Sequence, residues 1–196
     1  MKKIILYCIV IFVPFVMHSQ ATIAYTKPLP KINKHGVITM PDGQTHTIEN
    51  YSDTEGAVFF IIRHSEKDTT GGSNADLNPV GRGRAKALQK MLKKVRIKGV
   101  YSTNTPRTKH TAEPTAKSKH LPVVIYEPKK QTDLLTGLLA KKDKFLVVGH
   151  SNTVPQLINI LTGNDAEKEF SESDYTRFYI VSLKKIGEAK VLMIRF

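Results

Sequence analysis

The fold of this chain is decided by one stretch, AVFFIIRHSEK at residues 57–67. It opens with a continuous apolar run, Val58–Ile62, which is typical of a strand buried on both faces in a parallel sheet. Its remaining residues, from Arg63 onward, are polar or charged. Ligands of open α/β sheets bind beyond the carboxyl ends of the strands, so a polar block directly after a buried strand indicates a site.

Downstream of this stretch, patterns typical of helices alternate with patterns typical of strands. Asn78 is a good helix N-cap and Pro79 suits the first helical position. Helices are predicted at residues 78–95, 105–117, 134–139 and 154–161, strands at residues 99–102, 122–126 and 145–148, and a closing hairpin at residues 178–183 and 190–194. We therefore expect an α/β fold, a three-layer sandwich whose mostly parallel central sheet is flanked by helices on both faces.

Three polar clusters follow three of the predicted parallel strands. They lie at residues 63–67, 102–112 and 148–152, far apart in the sequence. Because the carboxyl ends of parallel strands meet at one edge of a sheet, we expect the clusters to converge there. The convergence would place arginines and histidines from different parts of the chain in one site.

The sequence resembles the histidine phosphatase superfamily, also called phosphoglycerate mutase-like, in four motifs. They are Arg-His-x-Glu after the first strand, Leu-x3-Gly-x3-Ala at the first helix, Ser-x4-Arg-Thr-x2-Thr-Ala after the second strand, and Gly-His after a late strand. The matching residues are Arg63, His64 and Glu66; Leu77, Gly81 and Ala85; Ser102, Arg107, Thr108, Thr111 and Ala112; and Gly149 and His150. The motifs occur in order within residues 57–196, so the resemblance implies a phosphoglycerate mutase-like fold and the small phosphatase branch.

The resemblance also implies a mechanism with a covalent intermediate. His64 would attack phosphorus and form a phosphohistidine. Arg63 and Arg107 would each grip phosphate oxygens with a planar guanidinium. His150 would donate a hydrogen bond to a phosphate oxygen, best when protonated beside that anion. Because the arginines supply the positive charge, we expect no metal ion and no other cofactor.

The acid that protonates the leaving group has no clear motif here. An ester with a poor leaving group needs such an acid. Glu127 and Asp133 are candidates, because they lie in the stretch where the mutase branch places its glutamate. Glu66 is a third, although it could instead orient an active-site group or pair with Lys67 or Arg82. Members that resemble phosphohistidine phosphatases manage without a clear acid, because a phosphoramidate leaves more easily.

The first 19 residues have the layout of a secretory signal peptide. Two lysines precede an apolar run, Ile4–Val16, and a polar exit with a small residue follows. The run is shorter than the about 20 apolar residues that span a bilayer. We expect a periplasmic or secreted protein with no stable membrane insertion after cleavage, an uncleaved anchor being the alternative. Residues 20–56 are predicted as an N-terminal extension with a hairpin, and residues 57–196 as the phosphatase domain.

The formal net charge of +13 favours anionic partners. The lysines are spread along the chain, which indicates a solvated surface and no nucleic-acid partner. The leading hypothesis is an exported, metal-independent phosphatase acting on phosphomonoesters, as small phosphorylated substrates, or on a phosphohistidine protein. The alternative is a non-catalytic phosphate- or polyanion-binding protein of the same fold, and a third is an envelope-associated binding protein.

Overall fold

The computed structural model describes residues 25–196, and the predicted signal peptide lies outside the described residues. A three-stranded antiparallel sheet comes first and consists of β1 (Lys31–Ile32), β2 (Val37–Thr39) and β3 (Thr45–Thr47). Strands β2 and β3 pair as the sequence predicts, with Val37 opposite Thr47. Gly43 has a φ of 88° in the turn between them, a conformation that glycine adopts without a steric cost. Strand β1 is an addition that the sequence did not indicate.

The rest of the described chain forms a six-stranded sheet with four helices. In chain order its elements are β4 (Ala57–Arg63), α1 (Pro79–Met91), β5 (Gly99–Ser102), α2 (Pro106–Ser118), β6 (Val123–Ile125), α3 (Gln131–Leu139), β7 (Lys144–Gly149), α4 (Thr153–Thr162), β8 (Arg177–Leu183) and β9 (Lys190–Arg195). The strand order is β6-β5-β7-β4-β8-β9. Within the group β4, β5, β6 and β7, neighbouring strands run parallel. Strand β8 pairs antiparallel with β4, and β9 pairs antiparallel with β8. The prediction of a mostly parallel sheet with a closing hairpin is confirmed.

Strand β4 is buried along its whole length and lies at the centre of three layers. Val58, Phe60 and Ile62 belong to an apolar cluster that also holds the inward faces of α1 and α2. Phe59 and Ile61 belong to a second cluster with α3 and α4. Successive side chains of a strand point to opposite faces, so a strand between two helical layers must be apolar throughout. This burial on both faces explains why the residues from Val58 to Ile62 are all apolar.

Helix α1 begins as predicted but ends earlier. The Asn78 side chain accepts a hydrogen bond from the Gly81 N–H at 2.9 Å, which caps the first turn. The helix ends at Met91, and Val95 lies in the turn that follows. Lys119 donates to the Val95 carbonyl at 2.7 Å and so satisfies part of that turn. Val95 is buried although it lies outside the helix. Its apolar side chain therefore extended the helical spacing of apolar residues in the sequence beyond the end of α1.

The segment predicted as an N-terminal extension packs onto the main core. Ile32, Ile38 and Ile48 are buried in the same cluster as Leu88 and Met91 of α1. The three-stranded sheet therefore covers part of the apolar face on that side of the molecule. Within residues 25–196, no helix has the length and apolarity needed to cross a bilayer.

Candidate active site

Three adjacent parallel strands end at the edge of the sheet where the polar clusters converge. In the order β5-β7-β4, strand β7 lies between the other two. Arg63 is the last residue of β4 and pairs in register with Gly149, the last residue of β7. The His64 N–H donates to the Gly149 carbonyl at 2.8 Å, and the rings of His64 and His150 lie 5.5 Å apart. Arg107 is in the first turn of α2, which follows β5.

His64 is buried, neutral and held in one tautomer. Its Nδ1 lies 2.8 Å from the Ser65 carbonyl oxygen, and only 3% of the residue is exposed. A carbonyl can only accept, so Nδ1 carries the proton and Nε2 keeps its lone pair. Burial lowers the pKa of His64 most, the Ser65 hydrogen bond opposes it, and the charges of Arg63 and Arg107 lower the pKa further, to about 3. The ring is therefore uncharged at physiological pH, with a lone pair free on Nε2, which is the state that a nucleophilic histidine needs.

Arg63 is enclosed by the loop between α4 and β8, residues 163–176, here called the α4–β8 loop. Its Nη1 donates to the carbonyl oxygens of Ser171 at 2.8 Å and of Glu172 and Asp174 at 3.2 Å each. The ring of Tyr175 covers the guanidinium at 4.3 Å from its carbon to the ring centroid. The Nε of Arg63 is buried and has no hydrogen-bond partner. One donor of the guanidinium is thus left for a ligand.

Arg107 shows the same incomplete bonding. Its Nη1 donates to the Ser73 carbonyl at 2.8 Å, while its Nε is buried without a partner. Burial, followed by the charge of Arg63, lowers the pKa of Arg107. Two guanidinium groups that repel each other leave a positive potential at the centre of the site, which suits an anion with several oxygens.

His150 is also neutral in the free protein. Its Nε2 lies 2.8 Å from the hydroxyl oxygen of Thr103, and its backbone N–H donates to the hydroxyl of Thr153 at 2.8 Å. Burial, and then the charges of Arg107 and Arg63, lower the pKa of His150 to about 4. A bound anion would oppose this shift, so a protonated His150 belongs to the anion-bound state.

Hydroxyl groups of α2 attach this helix to the strand ends. The Ser65 N–H donates to the Thr111 hydroxyl at 2.9 Å, and that hydroxyl donates to the Arg107 carbonyl at 2.8 Å. The Thr108 hydroxyl lies 2.9 Å from the Thr103 carbonyl. These bonds hold the turn that carries Arg107 beside the segment after β4. They explain why the motif after the second strand has threonines at positions 108 and 111.

Glu66 forms an ion pair with Arg84, and not with Lys67 or Arg82, the two partners expected from the sequence. The Arg84 Nε donates to both Glu66 carboxylate oxygens at 3.0 Å, and its Nη2 donates at 2.7 Å. Lys67 pairs instead with Glu172, and Arg82 pairs with Asp76. Both oxygens of the Glu66 carboxylate are thus bound by the Arg84 guanidinium, which fixes the orientation of the carboxylate.

The backbone of Glu66 explains the glycine of the second motif. A Cβ built on Gly81 would overlap the Glu66 carbonyl oxygen and lie 2.9 Å from the Glu66 nitrogen. The Glu66 carbonyl accepts from the Asn78 N–H at 3.0 Å. Helix α1 therefore approaches the segment after His64 so closely that only glycine fits at this position.

The other two candidate acids are exposed. Glu127 follows β6, at the outer edge of the sheet beyond β5, and Asp133 lies in the first turn of α3. Within residues 25–196, no hydrogen bond or ion pair joins either carboxylate to the arginines and histidines of the site. Their role as acids stays a prediction.

The α4–β8 loop, which supplies Glu172 and Tyr175, was not predicted from the sequence to be part of the site. The Tyr175 ring lies 5.9 Å from the ring of His64, and the Glu172 carboxylate lies 3.3 Å from the Arg63 Nη2. A signal was available: the predicted hairpin strand at residues 178–183 pairs antiparallel with β4, so it begins at the edge where β4 ends. The residues just before such a strand must lie next to the site.

The chain is similar to known histidine phosphatases in sequence profile and in fold. The profile of the histidine phosphatase superfamily (branch 1) matches residues 59–128. The solved structure of the protein histidine phosphatase SixA complexed with tungstate has a TM-score of 0.60 and 20% identity, over 70% of this chain and 96% of that chain. Mycobacterial glucosyl-3-phosphoglycerate phosphatase Rv2419c has a TM-score of 0.56 and 13% identity, over 72% of this chain and 98% of that chain. A search of curated proteins gives no match.

The profile and the fold agree with the site geometry. The matched segment contains Arg63, His64 and Arg107 and ends before His150. At these identities the solved structures bear on the fold, which they confirm as phosphoglycerate mutase-like. Residues 59–128 are therefore similar in sequence to the histidine phosphatase superfamily (branch 1), and the chain shares its fold with solved histidine phosphatases.

Proposed function

We propose that this protein is an exported phosphatase that hydrolyses phosphomonoesters or phosphohistidine through a phosphohistidine intermediate on His64. One observation carries the proposal. Among residues 25–196, four buried side-chain polar atoms have no partner, and three of them belong to the residues next to His64 in the chain or to an arginine whose charge acts on its ring: the Nε atoms of Arg63 and Arg107 and the Oγ of Ser65. Buried donors are normally paired, so unpaired donors beside a nucleophile indicate a place for phosphoryl oxygens.

The first step transfers the phosphoryl group to the protein. The two arginines bind the phosphoryl oxygens, and the lone pair of the His64 Nε2 attacks phosphorus. The bond from phosphorus to the leaving oxygen or nitrogen breaks, and the leaving group departs with its electron pair and takes a proton from the solvent. The Ser65 carbonyl accepts from Nδ1 at 2.8 Å and stabilises the positive charge that the ring gains.

The second step regenerates the protein. A water molecule attacks phosphorus, the bond between phosphorus and Nε2 breaks, and the electron pair returns to His64. The water gives up a proton to the solvent, inorganic phosphate leaves, and the ring is neutral again with its proton on Nδ1. The arginines hold the charge of the phosphoryl oxygens through both steps, so this route assigns no role to a metal ion.

The leaving group separates the two substrate classes. A phosphohistidine leaves through nitrogen and needs less help from an acid than an alkyl ester does. Within residues 25–196, no hydrogen bond or ion pair joins the side chain of a candidate acid from the sequence to Arg63, His64, Arg107 or His150, which favours phosphohistidine or an ester with a good leaving group. Similarity to the protein histidine phosphatase SixA supports the same substrate class at the level of a shared fold.

Export rests on the sequence of residues 1–19 alone. The basic start, the apolar run and the polar exit are the three parts of a secretory signal peptide. N-terminal sequencing of the protein from a cell-envelope fraction and from the medium tests this part. A chain that starts near Gln20 supports cleavage, while a retained residue Met1 in a membrane pellet supports an anchor instead.

Phosphate release from p-nitrophenyl phosphate and from a phosphohistidine peptide tests the activity. Wild-type protein is compared with His64→Ala and with His35→Ala, which removes an exposed histidine, without added metal. We expect turnover by the wild type and by His35→Ala, and a loss of about 1,000-fold or more in His64→Ala because the nucleophile is absent. Phosphate binding without turnover by the wild type would favour the alternative of a non-catalytic phosphate-binding protein.

A further inference from the structure

The carboxylate of Glu172 lies among the cations of the active site. Its Oε2 is 3.3 Å from the Arg63 Nη2 and 3.1 Å from the Lys67 Nζ, and its Oε1 accepts from the Ser151 hydroxyl at 3.3 Å. Lys67 belongs to the first polar cluster, and Ser151 directly follows His150. The side chain thus bridges groups from two of the three clusters that form the site.

This carboxylate also bears on the second arginine. The charge of Glu172 raises the pKa of Arg107, against the larger lowering effects of burial and of Arg63. Glu172 therefore lies close enough to both arginines to offset part of their repulsion. A carboxylate presents two charged oxygens in a plane, which is the arrangement that a guanidinium also binds in a phosphoryl group.

We propose that Glu172 is an internal anion that occupies part of the phosphate site in the free protein and that a substrate phosphoryl group must displace. The residue then sets the affinity of the site for phosphoanions. This inference rests on the proposed function, because it takes Arg63 as a phosphate ligand.

The structure allows the side chain to leave without disturbing the site. The Glu172 side chain is 67% exposed and the Arg63 side chain is 2% exposed. Arg63 keeps its bonds to the backbone carbonyls of the α4–β8 loop and its contact with Tyr175 when the carboxylate rotates away. Displacement therefore costs two solvent-screened ion pairs and leaves the position of the guanidinium unchanged.

A role of Glu172 as the general acid fits the structure less well. The hydrogen bond from Lys67, and the nearby charge of Arg63, lower the pKa of Glu172 against the opposing effect of partial burial. The carboxylate is then ionised in the free protein and has no proton to give. An ionised group beside two cations acts as a competitor of phosphate.

Calorimetric titration with inorganic phosphate tests the inference without any need for turnover. The variant is Glu172→Gln, and the matched control is Glu169→Gln. Glu169 is exposed in the same loop and approaches the same Ser151 hydroxyl at 3.4 Å, and within residues 25–196 it has no ion pair with Arg63 or Lys67. Both variants remove one negative charge from the same loop. They differ in that only the Glu172 carboxylate forms ion pairs with Arg63 and Lys67.

We expect Glu172→Gln to bind phosphate about fivefold more tightly than the wild type, because a site blocked by its own side chain loses affinity in proportion to the blocked fraction. Glu169→Gln should stay within about twofold of the wild type, as expected for a screened surface charge. Equal tightening in both variants, no change in Glu172→Gln, or weaker binding by it would each overturn the inference.

Kinetics with p-nitrophenyl phosphate and an alkyl phosphate separate this role from acid catalysis. Glu172→Gln should lower KM for both substrates by a factor similar to the change in phosphate affinity. A fall in kcat of about 100-fold confined to the alkyl phosphate would instead identify Glu172 as the acid and overturn the proposal. Loss of turnover in His64→Ala concerns the proposed function only, because the calorimetric comparison does not depend on it.

Discussion

At the scale of single residues, the site combines positive guanidinium groups with uncharged imidazoles. Burial and the neighbouring arginines keep His64 and His150 neutral, with pKa values lowered to about 3 and about 4. A protonated His64 would have no lone pair on Nε2 and could not attack phosphorus. Under the proposed function, the arginines would therefore have two effects: they would attract the phosphoryl group and keep the His64 ring uncharged for attack.

A pH titration followed by NMR tests this electrostatic state. We expect the ring signals of His64 and His150 to show no protonation between pH 8 and pH 5, because their pKa values lie near 3 and 4 in the free protein. A short unstructured peptide that contains histidine provides the reference for an ordinary histidine, with a pKa near 6.5. A titration midpoint near 6.5 for His64 would contradict the structure.

The same shifts have a consequence for stability. The unfolded chain binds protons at these two histidines below pH about 6.5, while the folded chain does not until the pH falls to about 4 and 3. In that window the unfolded state holds more protons, so the histidines contribute stability that is present above pH 6.5 and is lost as the pH falls.

At the scale of elements, the sequence predicted the parallel sheet and the convergence of the clusters. The apolar run Val58–Ile62 identified a strand buried on both faces, and the alternation with helices placed the ends of β4, β5 and β7 at one edge. The α4–β8 loop was not predicted as part of the site, because it has no hydrophobic periodicity. Its position depends on the antiparallel pairing of β8 with β4, which is a tertiary property.

The partner of Glu66 shows the same limit of local reasoning. Lys67 and Arg82 are close to Glu66 in the sequence or on the next helix, and charge alone allowed either of them. The structure selects Arg84 because α1 approaches the end of β4 so closely that the side chain of Arg84 faces the carboxylate. When the position of a helix is predicted only to within one turn, the sequence cannot show whether Arg82 or Arg84 faces Glu66.

Replacement of Gly81 by alanine tests that close approach. The added Cβ would overlap the Glu66 carbonyl oxygen, so α1 must shift, and we expect a loss of about 1–3 kcal/mol in the free energy of unfolding. Gly137→Ala in α3 is the control. No atom lies within 4 Å of a Cβ there, and the helix should gain roughly 0.5–1 kcal/mol. Urea denaturation measures both, and a stabilised Gly81→Ala would show that the approach is looser.

At the scale of the whole molecule, the three-stranded sheet of residues 31–47 belongs to the main core. Ile32, Ile38 and Ile48 share one apolar cluster with α1 and with alternate residues of β4. The sequence predicted a hairpin in this region, and the short apolar segments gave no sign of where they pack. The cluster joins the segment before β4 to the layer formed by α1 and α2.

Truncation of Ile38 tests this packing. The residue is fully buried, so Ile38→Ala should lower the free energy of unfolding by about 3 kcal/mol in a single cooperative transition. Thr39→Ala, at the exposed neighbouring position, serves as the control and should change it by less than about 1 kcal/mol. A small loss in Ile38→Ala, or a separate early transition, would mean that the segment folds independently of the core.

The most direct test of the central claim is to trap the covalent intermediate. The wild-type protein is mixed with a phosphorylated substrate, quenched with alkali within the first turnover and analysed by peptide mass spectrometry. We expect an acid-labile phosphoryl group on the peptide that contains His64, and none in His64→Ala. A phosphoryl group found only at another residue, or full turnover by His64→Ala, would contradict it.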